Sequence, residues 1–460
     1  MLRAKVGVAR VAGALSRASR RGGGTSLPGK LLLRMEPGAV GMLARRLDRG
    51  SVVVSATNGK TTTSGMIARV FAEHGLTAVH NRAGANMKGG VATALLEQAR
   101  GPGRGRIGLF EVDEAWLPEV VADLGPHTVL LSNLFRDQLD RYGELEMLAD
   151  EWSELVAARE GDTAFVLNAD DPLVADLGRD RSGNTRKRIT YFGLEDRAHA
   201  LERIEHASDA KHCRRCGTAY AYSAAYLGHL GDYSCPNCGN ARPQPQVAGR
   251  DVDLQGMTGS RFTLSTPRGE TRITLRLPGL YNVYNAVAAA ACCLELGMSL
   301  EEIRRGLESF AAAFGRAEQI PVGDRRVAIL LVKNPAGANE VFRTLAAAGD
   351  PGLDVWMVLN DRIADGRDVS WIWDADFETL APHAARVICS GTRAEELALR
   401  LKYAGVSSAQ LEVVPQLERG LDRALAMNGG RPLYALPTYT ALLELREVLA
   451  ARGHAPPFWE

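Results

Sequence analysis

A short apolar run, Ser51-Val52-Val53-Val54, is followed by the Gly59-Lys60-Thr61 turn and then by helical spacing from Ser64 to His74. This order of buried strand, turn and helix opens an α/β domain. Further strands are predicted from Ile107 to Val112, Thr128 to Ser132 and Ala164 to Asn168, alternating with helical stretches such as Glu144 to Arg159. Such alternation predicts a mostly parallel sheet. Later, Phe262-Thr263-Leu264 and the stretch from Thr271 to Leu277 alternate like strands, and an Ala-rich helix is predicted from Asn285 to Gly297. Near Ala317 to Gly323 the pattern restarts. An apolar strand from Val327 to Val332 opens a second alternation that runs to the C-terminus.

These breaks divide the chain. Residues 1–50 form a basic leader and an N-terminal segment, 51–318 a central α/β domain, and 319–460 a second, Rossmann-like α/β domain. Between His206 and Arg250 the composition shifts to Tyr, Gly, Pro and paired Cys, so residues 206–248 read as a small insertion. A length of 460 residues fits this multi-domain division.

Apolar residues make up 46% and charged residues 24%, the balance of a folded soluble protein. With a formal charge of +1, no global field draws the chain to nucleic acid or an anionic membrane, so any anion site must be local. No apolar run reaches the ~18 residues of a membrane span. The acid-free stretch from Met1 to Arg21 reads as a basic helix on the domain surface, with a transit peptide or an amphipathic surface-seeking helix as the other readings. No secretory h-region follows it, so a cytosolic location is expected.

Candidate chemistry starts at Ser55-Ala56-Thr57-Asn58-Gly59-Lys60-Thr61-Thr62-Thr63. A Gly-Lys-Thr core where a strand turns into a helix aims successive N–H groups and a helix N-terminus at phosphate. Lys60 would meet the phosphate charge, and the Thr61 hydroxyl suits Mg²⁺. The first Gly of the usual phosphate-loop pattern is absent, since Val54 stands there.

This Thr57 to Thr62 form resembles the Mur ligases and folylpolyglutamate synthases. The resemblance extends in family order through Glu111-Val112-Asp113-Glu114, the segment from Ser132 to Gly143, Asn168-Ala169-Asp170-Asp171-Pro172, Asn282-Val283-Tyr284-Asn285-Ala286 and Gly315-Arg316-Ala317-Glu318. It implies ATP and Mg²⁺. Thr57, Asn58, Gly59, Lys60, Thr61 and Thr62 would hold phosphate, Thr61 and Glu111 the Mg²⁺, and Asn168, Asp170, Asn282, Asn285 and Arg316 the rest of the nucleotide. Two departures stand out. Gln138 replaces a His that ligates a second metal in the family, and no Lys lies between Met147 and Glu160 where several Mur ligases carry a carbamylated one. The Gln138 carbonyl remains a hard-cation ligand type, and Glu151 is the candidate replacement carboxylate.

Cys213-x-x-Cys216 and Cys235-x-x-Cys238, separated by 18 residues and each followed by Gly, have the spacing of a closed Cys₄ zinc site. A structural zinc is expected there. A nucleic-acid-binding ribbon is the rival reading, and few basic residues flank the pairs.

Only 54 residues precede Ser55, too few for the uridine-diphosphate-binding domain of ordinary Mur ligases, which suggests an acceptor presented on a lipid. The short front, the Cys₄ insertion and a C-terminal domain with Lys333-Asn334-Pro335-Ala336-Gly337, the Asn360 to Asp374 segment and Leu436-Pro437-Thr438-Tyr439-Thr440 resemble the MurT type of subunit. That resemblance implies amidation of the α-carboxylate of D-glutamate in lipid II through an acyl phosphate. Ammonia would come from a GatD-type glutaminase subunit, and Asp365 or Asp368 would complete that partner's Cys–His pair. With Lys60 and Glu111 these are the catalytic candidates. Two alternatives remain: a ligase that adds an amino acid, and a phosphate-loop, zinc-ribbon binding protein without ligase chemistry.

Overall fold

The computed structural model describes residues 5–11, 13, 26–81, 85–98, 105–137, 145–180, 182–205, 208–311, 316–348, 352–427 and 431–456. Strands β1 (Ser51–Ser55), β2 (Thr77–His80), β3 (Arg106–Glu111), β4 (Thr128–Leu131), β5 (Ala164–Asn168) and β6 (Ile189–Leu194) come first along the chain. A separate hairpin follows, β7 (Ala221–Leu227) and β8 (Leu230–Ser234), before β9 (Val247–Leu254), β10 (Ser260–Thr266) and β11 (Gly269–Leu275). The nine-stranded central sheet has the order β11-β10-β9-β6-β5-β4-β1-β3-β2. It is parallel from β2 to β9 and antiparallel at β10 and β11.

β1 shows why this sheet is apolar on both faces. Val52 and Val54 pack with Met66 and Phe71 of the helix Lys60–Glu73 and with the helix Leu280–Glu295. Val53 points the other way, into a core with Leu32, Val91, Val120 and Trp152. Alternation along a strand sends neighbouring side chains to opposite layers. The helix predicted from Ser64 starts at Lys60, because the three threonines that hide the apolar period form its first turn.

The second sheet contains β12 (Arg316–Val322), β13 (Arg325–Leu330), β14 (Leu353–Val358), β15 (Ala384–Ser390), β16 (Leu411–Val413) and β17 (Leu433–Pro437), in the order β12-β13-β17-β14-β15-β16. Only the β12/β13 pair is antiparallel. This sheet begins at Arg316, ahead of the expected 318/319 boundary, because β12 is a polar-rich edge strand with no apolar run to announce it. Of the basic leader, residues 5–11 are helical and lie on the central domain: Val6 and Ala9 are buried, Lys5 pairs with Glu36 at 2.9 Å, and Arg10 donates to the Leu96 carbonyl at 2.7 Å. Among the described residues no helix is long and apolar enough to cross a membrane.

Candidate functional site

Strand order reverses at β1, with β3 and β2 on one side and β4 and β5 on the other, and ligand crevices open at the carboxyl ends of such strands. A cavity of about 380 Å³ lies there, closed from above by the C-terminal domain and floored by Thr57 to Thr62. Gly59 has φ +88°, and a Cβ at that position would sit 2.1 Å from Asn285 Oδ1, so the turn admits only glycine. From the β4 side Asn133 clamps the loop. Its Oδ1 accepts from Asn58 N at 2.9 Å, its Nδ2 donates to Asn58 O at 3.0 Å, and its carbonyl accepts from Thr57 N at 3.0 Å. The helix Lys60–Glu73 therefore opens with its N–H groups at the cavity, an arrangement that attracts phosphate.

Lys60 is buried and lies 2.8 Å from Glu114 Oε2 and 3.4 Å from Asp113 Oδ1, and it also donates to the Ala56 carbonyl. Burial alone would lower its pKa, but Glu114 and Asp113 outweigh that and hold the ammonium above its usual range. The Thr61 hydroxyl donates to Glu111 Oε2 at 2.7 Å, and His80 Nε2 is 3.3 Å from Glu111 Oε1. Asn81 fixes the Glu111 backbone on both sides, accepting from its N–H at 2.9 Å and donating to its carbonyl at 2.8 Å. Thr61 and Glu111 thus converge as an oxygen pair of the kind Mg²⁺ takes.

At the other end, Asn168, Tyr284 and Asn285 line the cavity, whereas Asp170 and Asn282 do not. The Asp170 carboxylate, expected to touch nucleotide, is consumed inside the protein. It accepts from Arg242 Nε at 2.6 Å, Tyr284 OH at 2.6 Å and Leu194 N at 2.8 Å. Burial raises its pKa against these donors. Asn282 is likewise engaged, donating to Pro278 O at 2.8 Å and accepting from Asn285 Nδ2 at 3.2 Å. Asp170→Ala leaves buried Arg242 without its carboxylate and is expected to lower stability by about 3 kcal/mol or more, read from the denaturant midpoint at constant m-value. Arg316 is placed on β12 with its side chain outside the described residues, as Gln138 is entirely. Glu151 is exposed on the helix Leu145–Ala158 and does not line the cavity, so the replacement carboxylate is not there: Trp152 is the inward residue, and buried Glu114 is the acid beside Lys60.

The C-terminal domain reaches the phosphate loop directly. Lys333 pairs with Asp137 and donates to the Thr57 carbonyl at 3.2 Å. Asn334 and Asn58 exchange side-chain hydrogen bonds at 3.1 and 3.3 Å, while Asn334 also caps the helix Pro335–Ala347 by accepting from Gly337 N at 2.8 Å. The structure separates the two aspartate candidates. Asp365 is buried, accepting from Thr440 N at 2.7 Å and from the Thr440 hydroxyl at the start of the helix Tyr439–Ala451, and burial raises its pKa. Asp368 is exposed, and the Ser370 N–H, 2.8 Å away, lowers its pKa.

The four paired cysteines come together: all their sulfurs lie within 4.8 Å of one another, with Cys213–Cys238 at 3.5 Å and Cys216–Cys235 at 3.4 Å. Thiolates ~2.3 Å from one tetrahedral ion lie about 3.8 Å apart, so the donor set fits. Gly217 and Gly239, at φ +75° and +72°, make the turns that aim both pairs inward.

Residues 54–239 match the Mur ligase middle domain, and residues 331–442 the MurT ligase C-terminal domain. Over 432 residues the chain is 33% identical to the lipid II isoglutaminyl synthase (glutamine-hydrolyzing) subunit MurT of Staphylococcus aureus strain N315, covering 93% of each. The chain belongs to the MurT family of Mur ligases. It is an ATP-dependent ligase, which removes the reading as a mere binding protein. The Streptococcus pneumoniae subunit of the same description is 33% identical over 440 residues, 94% of each chain. In fold, the chain is similar to a pseudomurein peptide ligase type C from Methanothermus fervidus (TM-score 0.68, 23% identity, 89% of this chain and 80% of that one). It is also similar to MurF from Acinetobacter baumannii (TM-score 0.64, 18% identity, 93% and 80%).

Sequence reasoning about this MurT-family chain missed Glu114, Asn133 and Lys333 as neighbours of the phosphate loop. Glu114 stands in the same acidic run as Glu111, and Asn334-Pro335 is a helix-start signal that marks where the C-terminal domain presents its first turn. Asn133 stands in the Ser132 to Gly143 segment, but its role as a loop clamp depends on β4 lying beside β1.

Proposed function

We propose that this chain amidates the α-carboxylate of D-glutamate in the lipid II stem peptide, through an acyl phosphate, with ammonia from a GatD-type glutaminase subunit. The observation that carries the reading is the convergence of Lys60, Thr61 and Glu111 on one cavity with Lys333 of the C-terminal domain at its edge. Bound there, MgATP supplies the γ-phosphoryl group. Lys60, kept charged by Glu114 and Asp113, neutralises phosphate; Thr61 and Glu111 would hold Mg²⁺; Lys333 adds positive charge from the opposite wall. An acceptor carboxylate oxygen forms the new bond to phosphorus as the bond to ADP breaks. Ammonia then adds to the acyl carbon, loses a proton and expels phosphate. Positioning and electrostatic clamping supply the rate.

The cysteines support an outside source of ammonia over glutamine hydrolysis within the chain. Four form the cluster, where they would hold a structural zinc. Cys292, Cys293 and Cys389 are buried, and burial raises all three thiols, Cys389 to about 12, so none is a thiolate near neutral pH. Action on lipid II would put the reaction at the cytoplasmic membrane face; among the described residues no helix is long and apolar enough to cross a membrane.

The acyl-phosphate step is tested by carrying heavy-oxygen label in the acceptor carboxylate. The label should appear in released phosphate, and its full retention in the product or solvent would exclude the step. The zinc reading is tested by elemental analysis with Cys238→Ser. Stoichiometric zinc is expected in the native chain and its loss, with a lower unfolding temperature, in the variant; a native chain without zinc would reject it.

A further inference from the structure

The insertion reaches the nucleotide cavity. Leu227 ends β7, Leu230 opens β8, and both line the cavity beside Tyr284 and Asn168. Their turn is locked onto the end of β5. Gly228 has φ +54°, and a Cβ there would meet the Phe135 ring at 2.9 Å. His229 is fully buried, its ring 4.6 Å from Phe135 and its Nε2 3.4 Å from Asp171. Gly231 N donates to Asp170 O at 2.8 Å. Phe135 N in turn donates to Thr57 Oγ1 at 3.0 Å, so one packed chain of contacts joins the hairpin tip to the phosphate loop.

A second observation points to a ligand at this wall. Asn168 is completely buried and is one of the residues lining the cavity; its Oδ1 accepts from Asp170 N at 3.0 Å, which orients the amide, while its Nδ2 has no hydrogen-bond partner in the protein. A buried donor without an acceptor is costly and calls for one. An apolar wall beside such a donor suits a flat heteroaromatic ring with nitrogen acceptors at its edge. With phosphate drawn to the Lys60 end, the purine base is the ring that reaches this wall.

We propose that Leu227 and Leu230 of the cysteine-bearing insertion form the base-binding wall of the ATP site, one face of the purine lying against them while Asn168 Nδ2 donates to a ring nitrogen. This rests on the ATP-binding reading of the cavity. The hairpin that carries the Cys₄ cluster thereby becomes part of nucleotide recognition.

The test measures dissociation constants of the full-length protein for MgATP and for inorganic tripolyphosphate, in wild type and in Leu227→Ala/Leu230→Ala. The double variant should weaken ATP roughly ten-fold or more by loss of apolar contact and leave tripolyphosphate unchanged. An unchanged ATP constant in the double variant overturns the proposal, and so does an equal loss for tripolyphosphate, which would mark a general disturbance of the loop. A wild-type protein that binds tripolyphosphate but gains nothing from the base overturns it too. Failure of the wild type to bind either compound would overturn the ATP reading itself, and this inference with it.

Discussion

Lys60→Ala should lower ATP-dependent amidation by about 10³-fold or more, since the loss of one preorganised charge at a transferring phosphoryl group is worth several kcal/mol. The effect is large here because the cation faces a local excess of acid. Removing Lys60 exposes Glu114 and Asp113, 2.8 and 3.4 Å from its ammonium, to the incoming phosphates without compensation. Lys60→Arg should not restore the rate, because the carboxylates and the Ala56 carbonyl surround a compact ammonium and leave no room for a planar fork. Initial rates at saturating ammonia, with the ATP dissociation constant measured alongside, separate lost chemistry from lost binding.

Asp368→Asn should divide the two nitrogen sources. In the complex with a glutaminase subunit, glutamine-driven amidation is expected to fall by up to about 10⁴-fold, the scale on which an imidazole suffers when its orienting carboxylate is neutralised. Amidation driven by added ammonium should be unchanged. Asp368 is exposed, and the Ser370 N–H holds its pKa below the ordinary carboxylate range, so it is charged throughout the neutral and mildly acidic range and contributes no acid limb to the rate there. Exposed Ile363 and Trp373 flank the same segment, 71% and 50% accessible. Asp365→Asn should behave differently. It loosens the Thr440 contact that ties this loop to the helix Tyr439–Ala451, and it should depress both rates together with stability. Equal rates with glutamine for wild type and Asp368→Asn would remove this residue from the partner's active site.

The parts of the fold legible from sequence are those decided within a few residues. The β1 valines, the Gly-Lys-Thr turn and the Cys pairs each act through local spacing, and the strand runs at β1, β3, β4 and β5 appear where the apolar pattern places them. What escaped depends on distant partners. Asp170 sits in a motif that reads as nucleotide contact, yet Arg242 and Tyr284, brought in from the insertion and from the helix Leu280–Glu295, take its carboxylate. Leu227 and Leu230 are two ordinary apolar residues in an alternating hairpin, and only the docking of Gly228 and His229 against Phe135 turns them toward the cavity. β12 was hidden because an edge strand needs no apolar run.

The proposed reaction joins ammonia to a lipid-linked carboxylate. Its most direct test is the mass of lipid II after incubation with this chain, MgATP and either ammonium or single amino acids. With ammonium, exchange of one hydroxyl for one amino group at the D-glutamate α-carboxyl is expected, and no adduct with any amino acid. A product extended by an amino-acid residue, with none formed from ammonium, would contradict it.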